Sequence, residues 1–203
     1  MEKQAWNILL FIAGILLIQP HVAAQATQLK PRLVVLTDIA PSNIEPDDME
    51  SMVRLFAHAD LYEIEALITT GGWNSSGRSY PESWIDSLNT IINAYEKDVP
   101  NLMKRSKQSS FLSLEEESKH QNIGYWPSAA YLRTRTMLGS KELGWKKIGP
   151  NNNSKGSDFI IKLADEADER PLWIAVWGGE EILWPKLYGR SSKNVAKING
   201  NHS

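Results

Sequence analysis

The segment from Leu33 to His58 constrains the fold of this chain more than any other. Leu33-Val34-Val35-Leu36 is an apolar run that reads as a buried strand. Met49, Met52, Val53 and Phe56 recur at helical spacing. Asp38, Asp47 and Asp48 therefore gather where a strand ends and a helix begins. In an open α/β sheet that edge is where ligands bind. Carboxylates packed this closely repel one another unless a cation or protons intervene, and Ca²⁺ is the cation that suits several hard oxygen ligands. The same residues also support a purely structural reading. Pro46 fits the first position of a helix, Asp47 and Asp48 complement the positive end of its dipole, and Asp38 caps a turn.

The rest of the chain alternates between the two patterns. Residues 32–37 form the expected first strand and 47–59 the first helix. Residues 64–69 are the second strand, ending in Gly71-Gly72, and 84–95 a second helix with Ile85, Leu88, Ile91 and Ile92 inward. Residues 99–127 are mixed and polar and read as a long surface connection, with Glu115-Glu116-Glu117 solvated. Residues 128–138 read as a helix stopped near Gly139, and 157–167 as an amphipathic helix. Residues 172–177 are apolar without alternation, which suits a parallel strand covered on both faces. Gly178-Gly179 then lead toward a short helix at 180–183. This order predicts an α/β fold, an open, doubly wound, mainly parallel sheet of the Rossmann-like kind. Three strands leave an outer edge open, so pairing with a second copy is an available oligomeric state.

The N-terminus reads as a secretory signal over residues 1–26. Lys3 precedes an apolar core from Ile8 to Ile18 that is short for a membrane span, Pro20 breaks it, and Ala24-Gln25-Ala26 fits a cleavage site. Cleavage after Ala24 is the second choice. The expected location is secreted or periplasmic, with no membrane association after cleavage. Residues 27–189 are the expected domain, and 190–203, polar and aperiodic, the expected disordered tail. There is no cysteine, which excludes disulfides, thiolate metal ligands and thiol catalysis. The net charge of −2 comes from interspersed charges with no basic stripe, so nucleic acid is not an expected partner.

The strand–Asp–loop–Asp–Asp–helix arrangement resembles the nucleoside hydrolase superfamily. More closely, it resembles the bacterial nucleoside-hydrolase-like domain at the N-terminus of cellulose-binding proteins. The resemblance is carried by Thr37-Asp38, Glu45-Pro46-Asp47-Asp48, Ile64-Glu65-Ala66-Leu67-Ile68 and Trp84-Ile85-Asp86. It continues through Pro127-Ser128-Ala129-Ala130-Tyr131-Leu132, Asp168-Glu169-Arg170-Pro171-Leu172-Trp173 and Trp177-Gly178-Gly179. It implies that Asp38 is a metal ligand and general base, Asp48 a second metal ligand, and that Asp47 and Asn74 contact the sugar. The implied cofactor is Ca²⁺, and the implied reaction is hydrolysis of an N-glycosidic bond. The family's later metal ligand and leaving-group acid come from a C-terminal half to which nothing here corresponds. The chain thus reads as a shortened member, its fold incomplete on the C-terminal side. The loop between Asp38 and Asp47 is longer than the family's compact acidic motif, and Leu36 replaces an upstream acidic residue.

Three functions fit this reading. The first is a secreted hydrolase of nucleoside-like N-glycosides, with Asp38 activating a Ca²⁺-bound water. The second is a carbohydrate-binding protein, for cellulose or another polysaccharide, in which the loop tryptophans Trp73, Trp126 and Trp145 stack on sugar rings while Trp173 and Trp177 sit in a core strand and Trp84 on a helix. The third is an inactive, shortened family member. The expected partner is a small glycoside or a polysaccharide. His58 and His120 read as helix-terminal and surface residues.

Overall fold

The computed structural model describes residues 28–75, 78–143 and 152–178. The expected signal segment, the helix at 180–183, the tail at 190–203, and Trp145 lie outside the described residues.

Strand β1 (Arg32–Thr37) is the apolar run of the opening segment. It leads through the acidic loop into helix α1 (Pro46–Phe56). Strand β2 (Glu63–Thr69) follows, then the long helix α2 (Ile85–Ser106) and the single turn α3 (Leu114–Glu117). Helix α4 (Ala129–Thr134) runs into strand β3 (Thr136–Leu138). Helix α5 (Lys155–Asp165) and strand β4 (Leu172–Val176) complete the described chain. The sheet has four strands in the order β3-β2-β1-β4, all parallel.

That order winds one way from β1 to β3 and then returns to the other side of β1. Val35, Ile39, Ile64 and Leu67 pack against Met52 and Phe56 of α1, Leu88, Ile92 and Tyr95 of α2 and Tyr131 of α4. Val34, Leu36, Ala66 and Ile68 face the opposite way, onto Ile160 and Leu163 of α5. The sheet is thus covered on both faces, as a doubly wound fold requires. The β1–β2 register slips between Leu33 and Val34, opposite Ile64 and Ala66. Glu65, the residue skipped, bonds to Arg32 Nε at 2.7 Å.

Several sequence expectations change here. The stretch 128–138 is not one helix, because its last residues pair with β2 as an edge strand. Leu67 N donates to Arg135 O at 2.8 Å and Gly139 N to Thr69 O at 2.7 Å, so the β2 ladder captures this segment. Helix α2 continues past Tyr95 because Val99 and Met103 extend the buried stripe that Tyr95 ends in sequence. Pro100 lies inside the helix on its exposed side. The helix stops at Lys107, which is left-handed at φ 61°.

The polar stretch is also less superficial than its charges indicate. Glu117 is fully buried and accepts from Ser128 N and Ser128 Oγ, both at 2.6 Å, and from Tyr125 OH at 2.8 Å. Trp126, read as a loop platform, is buried. Strand β4, read as covered on both faces, is the outermost strand among the described residues, and Trp173 is 56% exposed rather than in the core. Its apolar run reflects two faces that pack in part, through Ala175 on one core and Leu172 and Ile174 on the other. Among the described residues no helix is long and apolar enough to cross a membrane.

Candidate functional site

The strand order reverses between β1 and β4, with β2 on one side of β1 and β4 on the other. A crevice opens beyond the carboxyl ends of strands at such a switch point. Asp38 is the first residue after β1 and is only 7% exposed. Gly72, beyond β2, and Gly178, beyond β4, close on it from both sides. A Cβ on either glycine would overlap the Asp38 carboxylate. The absence of side chains at these two positions makes room for the carboxylate at the strand ends.

Helix α1 brings the other acids. Pro46 starts the helix, and Asp47 and Asp48 lie in its first turn. Both acids thus complement the positive end of the helix dipole. Asp48 is buried, and Thr37 Oγ1, at the end of β1, donates to its Oδ2 at 2.5 Å. The same Thr37 oxygen accepts from Ile39 N at 3.1 Å, so one hydroxyl ties the acidic loop to the helix start. Asp47 is exposed at the rim, and its Oδ1 accepts from Asp48 N at 2.7 Å.

Asn74 lies in the 3₁₀ turn Trp73–Ser75 that follows β2. Its Nδ2 donates to the backbone oxygen of Asp38. Its Oδ1 is buried and has no hydrogen-bond partner among the described residues. The structure therefore brings Asp38, Asp48 and Asn74 together and leaves Asp47 beside them at the surface. His58 is remote in role: its Nδ1 meets Arg54 O at 2.8 Å at the exposed end of α1.

The electrostatics follow from this crowding. Burial raises the proton affinity of Asp38 above that of an ordinary carboxylate. Asp48 is pushed up to about 6, chiefly by burial, with Asp38 and Asp47 adding repulsion. Glu45 is raised to about 7 by a hydrogen bond with Asp47, which is correspondingly held below its usual range. The sequence motif contains Glu45, but its role was missed, because only the loop geometry turns its side chain toward Asp47.

The fold and this acidic edge define a nucleoside-hydrolase-like α/β domain. Residues 32–199 match the family described as the cellulose-binding Sde182, nucleoside hydrolase-like domain, and the chain belongs to that family. A solved structure of a nucleoside hydrolase-related hypothetical protein from Saccharophagus degradans, described as associated with carbohydrate metabolism, is 31% identical with a TM-score of 0.57. The match covers 74% of this chain and 31% of that one, so this chain spans about a third of the length of that protein. No curated protein matches the chain.

Proposed function

We propose that the acidic edge binds a glycoside and hydrolyses its N-glycosidic bond, as in a nucleoside-like substrate. The observation that carries this reading is the burial of Asp38 and Asp48 side by side at the switch point. Asp38, with its raised proton affinity, is suited to take a proton from an attacking water. Asp47 at the rim accepts from a sugar hydroxyl, and the unpartnered Oδ1 of Asn74 is an acceptor that a ligand hydroxyl or a bound water can satisfy. The negative field of the cluster stabilises the positive charge that develops on the sugar ring as the bond to the leaving group breaks.

The donor chemistry fits a hard cation, because two buried carboxylates that repel each other gain from one. Among the described residues no three His, Asp or Glu side chains form a complete metal-holding group. Asp38 and Asp48 would therefore supply two oxygens of a Ca²⁺ site, and water or backbone oxygens the remainder. When bound, the cation would orient and polarise the water that Asp38 deprotonates. The test is release of free base from nucleosides in Ca²⁺ by the full chain and by Asp38→Ala. Turnover that survives the substitution removes Asp38 from the chemistry.

A second reading is polysaccharide binding without hydrolysis. It is favoured by Trp73, which is 92% exposed and adjacent to Asn74, where its ring can lie along a sugar chain entering the site. It is supported as well by the cellulose-binding description of the family. Co-sedimentation with insoluble cellulose that weakens in Trp73→Ala is the expected result. A chain that stays in the supernatant with every polysaccharide offered removes this reading.

A further inference from the structure

A cavity of about 330 Å³ opens beside the acidic edge and shares Asn74 with it. It is lined by Ile44, Asn74, Arg78, Ser79, Pro81 and Trp84. Trp84 supplies an aromatic wall and is held edge-on to Tyr80, with ring centroids 5.4 Å apart at 82°. Tyr80 is itself buried, and its hydroxyl donates to Ile39 O at 2.6 Å, so the wall is anchored to the acidic loop. Arg78 is the one charged side chain among the described residues that line the cavity, and it forms no ion pair with another described residue.

We propose that this cavity is a subsite for an anionic substituent, a carboxylate or a phosphate, carried by the glycoside that the acidic edge holds. Arg78 pairs with the anion, Trp84 packs against the apolar face of the attached ring, and Ser79 lies within the same lining. The physical logic is separation of charge. A ligand that carries an anion is repelled by the carboxylates, and it gains only if its charge is directed to the far side of Asn74, where a guanidinium without an acidic partner lies. The inference rests on the acidic edge being a sugar site. It adds which sugars that site prefers.

The test is calorimetric titration of the full chain with uridine, uridine 5′-carboxylate and uridine 5′-phosphate. One or both anionic probes should bind about tenfold tighter than the neutral one, as expected for a charge-assisted Arg pair. The preference should fall with added salt, vanish in Arg78→Ala and survive in part in Arg78→Lys, with neutral binding unchanged. The tighter of the two probes identifies the anion. Arg78 is exposed, so Arg78→Ala should melt with the wild type, and a matched melting curve checks this. Equal affinity for neutral and anionic probes, or a preference that persists in Arg78→Ala, overturns the subsite while leaving the sugar site standing. Failure of all three probes to bind overturns the sugar site and the subsite with it.

Discussion

Gly72 stands against Asp38 so closely that a single methyl group on it would occupy the space of the Asp38 carboxylate. The two residues leave neighbouring strands, β1 and β2, which are in register to their last pair, Thr37 with Thr69. The sheet therefore delivers an acid and the gap that receives it to the same point. Gly72→Ala should cost about 1–3 kcal/mol by overpacking and should displace Asp38. Gly178→Ala should do the same from the β4 side. Urea denaturation measures the cost, and loss of glycoside binding beyond that of an equally destabilised core variant reports the displacement.

Asp48 gives a pH signature of known sign. Its carboxyl titrates near 3.8 in an unfolded chain and is pushed up to about 6 in the fold by burial. Between those values the folded state binds the extra proton, so the contribution of Asp48 to stability falls as pH rises from about 4 to about 6. Asp48→Asn should raise the melting temperature at pH 7.5 by about 3 °C and leave it little changed near pH 4. Added Ca²⁺ should raise the wild-type midpoint at pH 7.5 and not that of Asp48→Asn. A variant that melts below the wild type at pH 7.5 would show that the Thr37 bond outweighs the repulsion.

Lys30 is fully buried, and its Nζ donates to Ala59 O and Gln121 Oε1, both at 2.8 Å. A neutral amine has two N–H groups to give, which these two acceptors use. Burial lowers the Lys30 amine to about 7, against partial opposition from Glu63, Asp60 and Glu117. Above about 7 the unfolded chain holds a proton that the fold has released, so this group's contribution to stability rises with pH toward about 10. The stability of the wild type relative to Lys30→Met should therefore grow between pH 7 and pH 9.5. Parallel pH curves for the two proteins would mean that Lys30 stays charged.

Glu117→Ala should be among the most damaging single changes. It strands the Ser128 amide, the Ser128 hydroxyl and the Tyr125 hydroxyl in the interior, at a cost of about 3 kcal/mol or more. Glu117→Gln keeps one acceptor oxygen and should lose less. Denaturant midpoints at constant slope separate the two.

Legibility in sequence tracked local pattern. Strand β1 and the start of α1 were readable because an apolar run, a proline and two acids each specify a backbone state within a few residues. Strand β3 was not, since Thr136–Leu138 is a strand only because β2 supplies its partner. The same holds for Glu117, which looks like the solvated Glu115 and Glu116 beside it until Ser128 and Tyr125 arrive from residues further along the chain. In the site, Asp38, Asp47, Asp48 and Asn74 were all named from sequence, while Glu45, Gly72 and Gly178 gained their roles only from proximity.

By itself the sequence determined that this chain is a parallel α/β protein with its acids between a strand and a helix, because side-chain periodicity and turn chemistry are properties of neighbours in the chain. Only the tertiary structure decided that β4 returns to the far side of β1. That placement sets Gly178 and Gly72 on either side of Asp38, buries Asp48 and leaves Asp47 and Trp73 at the rim. Those outcomes depend on contacts between distant segments, and the burial they impose, rather than residue identity, raises the proton affinity of Asp38 and Asp48.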